Sequence, residues 1–265
     1  MMKRIICTLI LGFCFAAAAT VHAGPEAISD KEMKQVVPAP PECPNWSGFY
    51  VGGFGGYVRS NVGRDLALFE GWGSPPLTTP ALTEGSRNLD FDGGEAGGLI
   101  GYNFQINHWV LGVEGSAAYL WARDSRVVPD VPYGPITFQM SSSFKTNYLA
   151  TFGPRIGYAF CRWLPYVTGG LAVANLDYTQ VIAFAPADPS DVEAGRAEKT
   201  NAGWFVGGGL QYALTNHWSI RADYKYADLG DVAFRDDFGN GGGAPAFQRA
   251  KLTEHNATVA IIFGF

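Results

Sequence analysis

From Trp46 to the last residue, apolar and polar side chains alternate with period two, the spacing of a strand with two unlike faces. In one segment Trp109, Leu111, Val113, Ala117, Tyr119 and Trp121 share a face opposite Gly112, Glu114, Ser116 and Ala118. In another, Trp218, Ile220, Ala222, Tyr224 and Tyr226 oppose Ser219, Arg221, Asp223 and Lys225. At the end, Ala257, Val259, Ile261, Phe263 and Phe265 oppose Asn256, Thr258, Ala260 and Gly264. The pattern predicts eight strands, at about 47–59, 92–104, 109–122, 145–159, 164–178, 201–213, 218–229 and 251–265. Gln105 to His108, Phe160 to Trp163 and Leu214 to His217 are tight turns, whereas 60–91, 123–144, 179–200 and 230–250 read as long loops.

A small soluble barrel would turn its apolar face inward and would not bury Arg221, Asp223 and Lys225 on the inner one. Lipid outside and polar groups inside resolves the pattern. A strand that runs to Phe265 needs a partner, and in a bilayer only a closed barrel leaves no unpaired edge. Short turns on one side with long loops on the other also mark such barrels. The fold class is therefore all-β: an eight-stranded, antiparallel, up-and-down transmembrane barrel. The twelve residues from Trp109 to Trp121, at ~3.3 Å each and tilted by ~40°, project to roughly 30 Å along the axis. Trp109, Trp121, Tyr158, Trp218 and Tyr226 are the expected aromatic girdle residues. The stretch 96–113 has no formal charge, but Asn103, Gln105, Asn107 and His108 fall within it, so it reads as a hairpin rather than a spanning helix. Asn107-His108-Trp109 recurs as Asn216-His217-Trp218, each at a tight turn, which suggests a repeated hairpin unit.

The start of the chain is different. Residues 1–23 read as an export signal: Lys3 and Arg4, an uncharged apolar run from Ile5 to Thr20, then Val21-His22-Ala23. An uncleaved anchor fits Gly24-Pro25 less well, and a lipoprotein at Cys14 would need a small residue where Phe13 stands. Residues 24–45 are proline-rich and read as a periplasmic linker, leaving 46–265 for the barrel.

Removing the signal takes the net charge from −5 to −7, with no basic stripe of the kind that tracks a nucleic-acid backbone. The 34 glycines and 16% charged residues would permit disorder, but 14% aromatics argue against it. Cys43 and Cys161 remain in an oxidising compartment, too few for a metal site. Both should face the periplasm, and a bridge between them would tie the linker across the barrel mouth. The alternative is two unpaired or intermolecularly paired thiols. No metal or cofactor is expected. The acidic run Asp236-Asp237-Phe238-Gly239-Asn240 lacks the ligand spacing of a calcium loop. His108, His217 and His255 have no serine at a matching level with an acid behind it, so no catalytic residue is expected. The chemistry the pattern does concentrate is inward-facing charge, on Glu95, Glu114, Arg155, Arg221 and Asp223. In a barrel just wide enough to be filled by side chains, such groups should meet and pair.

Trp46-Ser47-Gly48-Phe49-Tyr50-Val51-Gly52-Gly53, Gly153-Pro154-Arg155-Ile156-Gly157-Tyr158 and Leu164-Pro165-Tyr166-Val167-Thr168-Gly169-Gly170 resemble the alphaproteobacterial outer-membrane porin family. These are small surface-antigen barrels related to the OmpA membrane domain and to opacity-type proteins. The resemblance covers about 46–265 and implies an eight-stranded barrel in the outer membrane of a Gram-negative bacterium. It implies an ionic plug in the lumen, with Glu114, Arg155 and Arg221 at the matching positions and Gln211 where an acid would complete the set. It also implies partners: outer-membrane lipid and lipopolysaccharide, periplasmic chaperones, and an assembly machine that reads a last strand ending in Phe263 and Phe265. The expected function is structural, in envelope integrity and surface display, by a monomer that is not an enzyme. The alternatives are a narrow channel for small solutes and an adhesin or receptor acting through the long loops.

Overall fold

The computed structural model describes residues 43–68, 79–133, 136–185, 192–236 and 246–265. The export signal, the linker before residue 43 and positions 237–240 of the acidic run lie outside them. Eight strands form: β1 Gly48–Leu68, β2 Leu89–Ile106, β3 Trp109–Tyr133, β4 Ile136–Tyr158, β5 Trp163–Ala185, β6 Val192–Ala213, β7 Trp218–Asp236 and β8 Ala246–Gly264. Each pairs antiparallel with its chain neighbours, and β8 returns to β1 to close a barrel. The closing seam runs from Tyr50↔Gly264 to Leu68↔Ala246, so the end of the chain has a full ladder of partners. Alternation then decides facing. Val113, Phe152 and Ile220 stand outward and exposed, as do Ile100, Leu171 and Val259, while Glu114, Arg155 and Arg221 on the strands of the first three are buried.

Among the described residues, those of 123–144, 179–200 and 230–250, read as long loops, are strand, and in 60–91 strand takes 60–68 and 89–91. β3 and β4 continue their ladder from Ala122↔Thr146 to Tyr133↔Ile136, through residues expected to be irregular. The physical reason is that backbone pairing does not need an apolar face. Once the barrel fixes the register, serines and charged residues can continue it by main-chain hydrogen bonds alone. Register shifts occur on both flanks of β4, between Tyr119 and Ala122 on β3 and between Thr146 and Leu149 on β4 itself. A one-turn-plus helix, α1 (Thr79–Gly85), lies in the β1–β2 connection. Arg64 Nε of β1 donates to the Arg87 carbonyl at 2.8 Å, and Arg126 of β3 pairs with Glu84 at 3.8 Å.

The interior is layered, which corrects the expectation of a polar lumen throughout. The half nearest the short turns holds the buried charges, flanked by two small apolar clusters, Leu99 with Ala260 and Ile262, and Val110 with Ala159 and Leu164. Above it lies a continuous apolar cluster that includes Val58, Leu120, Phe144, Leu176, Leu229 and Leu252. These residues have the inward parity of their strands, and the closed ladder gives them no other place to go. A barrel of eight strands is narrow enough for such side chains to meet across the axis.

Candidate functional site

The polar layer is organised around one carboxylate. Glu114, from the middle of β3, is 6% exposed. Its Oε2 accepts from Arg221 Nη1 at 2.6 Å, Tyr50 Oη at 2.8 Å and Arg155 Nη1 at 3.2 Å. Its Oε1 accepts from Arg221 Nη2 at 3.2 Å and has Lys225 Nζ at 3.9 Å. Arg221 thus grips Glu114 with both ends of its fork, a planar match that a lysine cannot make. Arg221 Nε also donates to Asp223 Oδ2 at 2.7 Å, two residues along the same face of β7.

Arg155, from β4, is 1% exposed. Besides Glu114 it donates to Tyr50 Oη at 3.0 Å and to Gln211 Oε1 at 3.2 Å. Gln211 Nε2 passes the chain on to Ser219 Oγ at 2.8 Å. The Tyr166 ring lies flat against this system, its centroid 4.0 Å from the Arg155 guanidinium carbon and 5.5 Å from that of Arg221. Cation–π attraction of this kind is stronger away from water. Two glycines make the tyrosines fit. A Cβ on Gly101 would strike the Tyr50 ring, and one on Gly209 would come within 2.8 Å of Tyr166 Oη. The clustered cations and anions can neutralise one another, hold β1, β3, β4, β6 and β7 together, and obstruct the axis. Nothing in the arrangement pairs a nucleophile with a base.

Of the lumen positions read from the sequence, Glu114, Arg155, Arg221, Asp223 and the neutral Gln211 come together here. Glu95 does not. Its Oε2 accepts from Asn256 Nδ2 at 3.4 Å, and no hydrogen bond joins it to the Glu114 group. The strands are sheared, so Glu95 pairs across with Leu120 whereas Glu114 pairs with Gly101, six residues further along β2. Glu254, fully buried at the floor of the apolar layer opposite Ser60, was missed. So were Tyr50 and Tyr166. Inward parity marks all three; sequence reading passed over the tyrosines because an aromatic at the barrel's lower end reads as girdle.

The girdle residues divide into two rings. Trp109 packs edge-on against Tyr158 at 5.2 Å, and Trp218 against Phe263 at 5.1 Å, near the short turns. Trp121 meets Tyr119 at 5.3 Å, and Tyr226 meets His255 at 5.1 Å, towards the other end. Phe265, the terminal residue, donates its N–H to the Phe49 carbonyl at 2.9 Å and leaves its ring exposed. His255 faces outward, its Nδ1 2.7 Å from Tyr224 Oη.

Cys43 and Cys161 form a disulfide between the segment before β1 and the β4–β5 turn. Trp46 lies beside it. Its Nε1 donates to the Cys161 carbonyl at 3.2 Å, its N–H donates to Gln105 Oε1 at 2.8 Å, and its ring packs on Val110, Ala159 and Leu164. The chain therefore crosses from one side of the barrel mouth to the other before entering β1. That path brings together two cysteines whose nearest strands lie far apart in the barrel.

Residues 6–263 match the model of the outer membrane protein beta-barrel domain. The chain is 29% identical over 229 residues to the 31 kDa outer-membrane immunogenic protein of Brucella melitensis, covering 86% of this chain and 87% of that protein. It is 28% identical over 196 residues to a 22 kDa outer membrane protein of Rhizobium leguminosarum, covering 74% and 70%. Among solved structures it is similar to Ail, the attachment invasion locus protein of Yersinia pestis, at 15% identity and a TM-score of 0.38, covering 82% of this chain and 99% of that one.

Proposed function

Because the chain belongs to the outer membrane protein beta-barrel domain family and lies in the outer membrane, we propose that it works there as a structural and surface-display barrel, not as an enzyme or an open channel. The observation that carries this reading is the double closure of the axis. The ionic group around Glu114 fills one level, and the apolar cluster of Leu120, Phe144 and Leu252 fills the next. A cavity between them, lined by Glu95, Lys225 and Asn256 among others, measures about 20 Å³. That is room for a water molecule or so, not for a hydrated ion or a solute. Two unlike obstructions in series suit a barrel whose task is mechanical: to be held rigid in the membrane while it presents its long hairpins outside. Refolded protein in a planar bilayer should show no steady conductance above the bare membrane. Sustained, voltage-stable steps would overturn the reading in favour of a channel.

The display role has its own support. β3 and β4 run far past Trp121, so the hairpin between them stands well clear of the lipid. Deleting residues 125–142 should leave the barrel folded and remove any surface ligand or antibody that it carries. Retained binding would place recognition elsewhere.

A further inference from the structure

The seam that closes the barrel carries a group of side chains that the ion cluster around Glu114 does not use. Glu254 of β8 is fully buried and stands opposite Ser60 of β1, itself fully buried. Two residues down β8 on the same inward face, Asn256 stands opposite Val58. Glu95 of β2 lies opposite Gly56, which has no side chain to block it, and reaches across β1 to accept from Asn256 Nδ2 at 3.4 Å. Five oxygens of this group have no hydrogen-bond partner: Glu254 Oε1 and Oε2, Glu95 Oε1, Asn256 Oδ1 and Ser60 Oγ. The Ser60 hydroxyl lies close to Glu254 without reaching hydrogen-bonding geometry, and the one charge that acts on Glu254 is that of Glu95.

Among the described residues no cation is bound to these two carboxylates. Glu114 and Asp223 are held by Arg155 and Arg221. Lys225, the neighbour of Asn256 across the β7–β8 ladder, sends its Nζ to Ser116 Oγ at 3.5 Å and towards Glu114 Oε1 at 3.9 Å. It stays in electrostatic range of Glu95 but does not act on Glu254. Arg64, higher on β1, donates to the carbonyls of Arg87 and Glu84. An anion buried with neither donor nor counter-charge is costly to the fold. Ser60 and Asn256 show what kind of group would answer it. Both are more than nine-tenths buried, and each brings an unpartnered neutral oxygen to the carboxylates. One added proton, with that of the Ser60 hydroxyl, would give two donors for five oxygens, whereas one metal ion can be met by all of them. Oxygen-only ligands, some from carboxylates, suit a hard cation. The cavity of about 20 Å³ that Glu95 and Asn256 line has no room for the waters that magnesium keeps, whereas calcium accepts irregular sets of protein oxygens.

We propose that Glu254, Glu95, Ser60 and Asn256 bind one calcium ion that clasps β8, β1 and β2 across the closing seam. The proposal rests on this geometry and not on the display role, which conductance and hairpin deletion test separately. The ligand set is complete only when β8 meets β1, so the ion enters as the barrel closes and leaves slowly afterwards. Protein processed after residue 23 would be refolded from urea into phosphatidylcholine vesicles in calcium-free choline buffer, with calcium, magnesium, sodium or no metal added. Once unbound ion is removed, metal per barrel is counted by mass spectrometry. The urea midpoint is measured alongside, with the folded state followed by heat-sensitive gel mobility. The wild type should retain about one calcium per barrel and unfold at higher urea with calcium than without it. Glu254→Gln, which keeps the shape and removes the charge, should retain less by about tenfold or more, and its midpoint should no longer respond to calcium. Should that variant not fold, Ser60→Ala should show a loss of about tenfold. Asp90→Asn, which neutralises an exposed acid of β2, should retain as much calcium as the wild type. Folded wild type without calcium, a midpoint raised by acid but not by calcium, or undiminished retention in Glu254→Gln would overturn the proposal. Retention of magnesium or sodium in preference would overturn calcium as the ion.

Discussion

Glu114→Gln is the most informative single perturbation of this barrel. The substitution keeps the size of the side chain and removes its charge. Arg221 would still have Asp223 at 2.7 Å, but Arg155 would have no carboxylate within bonding range among the described residues. It would keep only the neutral Tyr50 and Gln211 as acceptors and the Tyr166 ring above it. An almost fully buried guanidinium without a counter-charge is the expensive outcome, since removing one member of a buried ion pair costs about 3–5 kcal/mol. The reciprocal change, Arg155→Ala, leaves Glu114 gripped by Arg221 at 2.6 and 3.2 Å, so its cost should sit at or below the lower end of that range, about 3 kcal/mol. Urea unfolding of vesicle-reconstituted protein, followed by tryptophan fluorescence and gel mobility, measures both. With a slope of ~2 kcal/mol per molar, the Glu114→Gln midpoint should fall by roughly 2 M. Replacing the group together, Glu114→Leu with Arg155→Met and Arg221→Met, should cost less than Glu114→Gln alone, because no charge is left stranded. A Glu114→Gln midpoint within about 0.3 M of wild type would refute the reasoning, as would a triple variant less stable than the single one.

Four further outcomes are expected. Gly101→Val should push Tyr50 away from Glu114 and destabilise the barrel by about 1–3 kcal/mol, while Gly115→Ala, which meets only ordinary contacts, should be nearly silent in the same unfolding assay. Leu120→Ala in the apolar layer should cost about 2–5 kcal/mol and still give no conductance in a planar bilayer, because the ionic layer remains. Unreduced, denatured protein processed after residue 23 should expose no free thiol to a colorimetric reagent, and Cys43→Ser should expose one and make the segment around Trp46 sensitive to protease. Deleting Phe265 should slow insertion by the assembly machinery in cells while leaving detergent refolding intact, measured as the folded fraction in each.

How much of this was legible in the sequence depends on which half of the barrel is considered. Near the short turns the two faces differ sharply in chemistry. Ile220 and Arg221, or Val113 and Glu114, declare their own sides, so strand parity and the ion group could be read directly. Further up, the inward positions carry Val62, Leu229 and Leu252 while the outward ones carry Asn61, Asp228 and Lys251, so polarity there points the other way. Only the closed register shows that the apolar residues still face the axis. The same loss of signal hid the continuation of β3 and β4 past Trp121. Main-chain pairing holds those residues, and main-chain pairing leaves no mark on side-chain periodicity. Glu95 was placed with Glu114 because both face inward. The shear that separates their levels is a property of all eight strands together.

The ladder between β3 and β4 climbs twelve residues from Trp121 to Tyr133, as many as separate Trp121 from Trp109. It therefore reaches about as far beyond the bilayer as the distance across it, roughly 30 Å. What stands there is a stiff, two-faced ribbon and not a slack tether. Antibodies raised against short unstructured peptides from 123–144 should consequently recognise the boiled protein far better than the folded one.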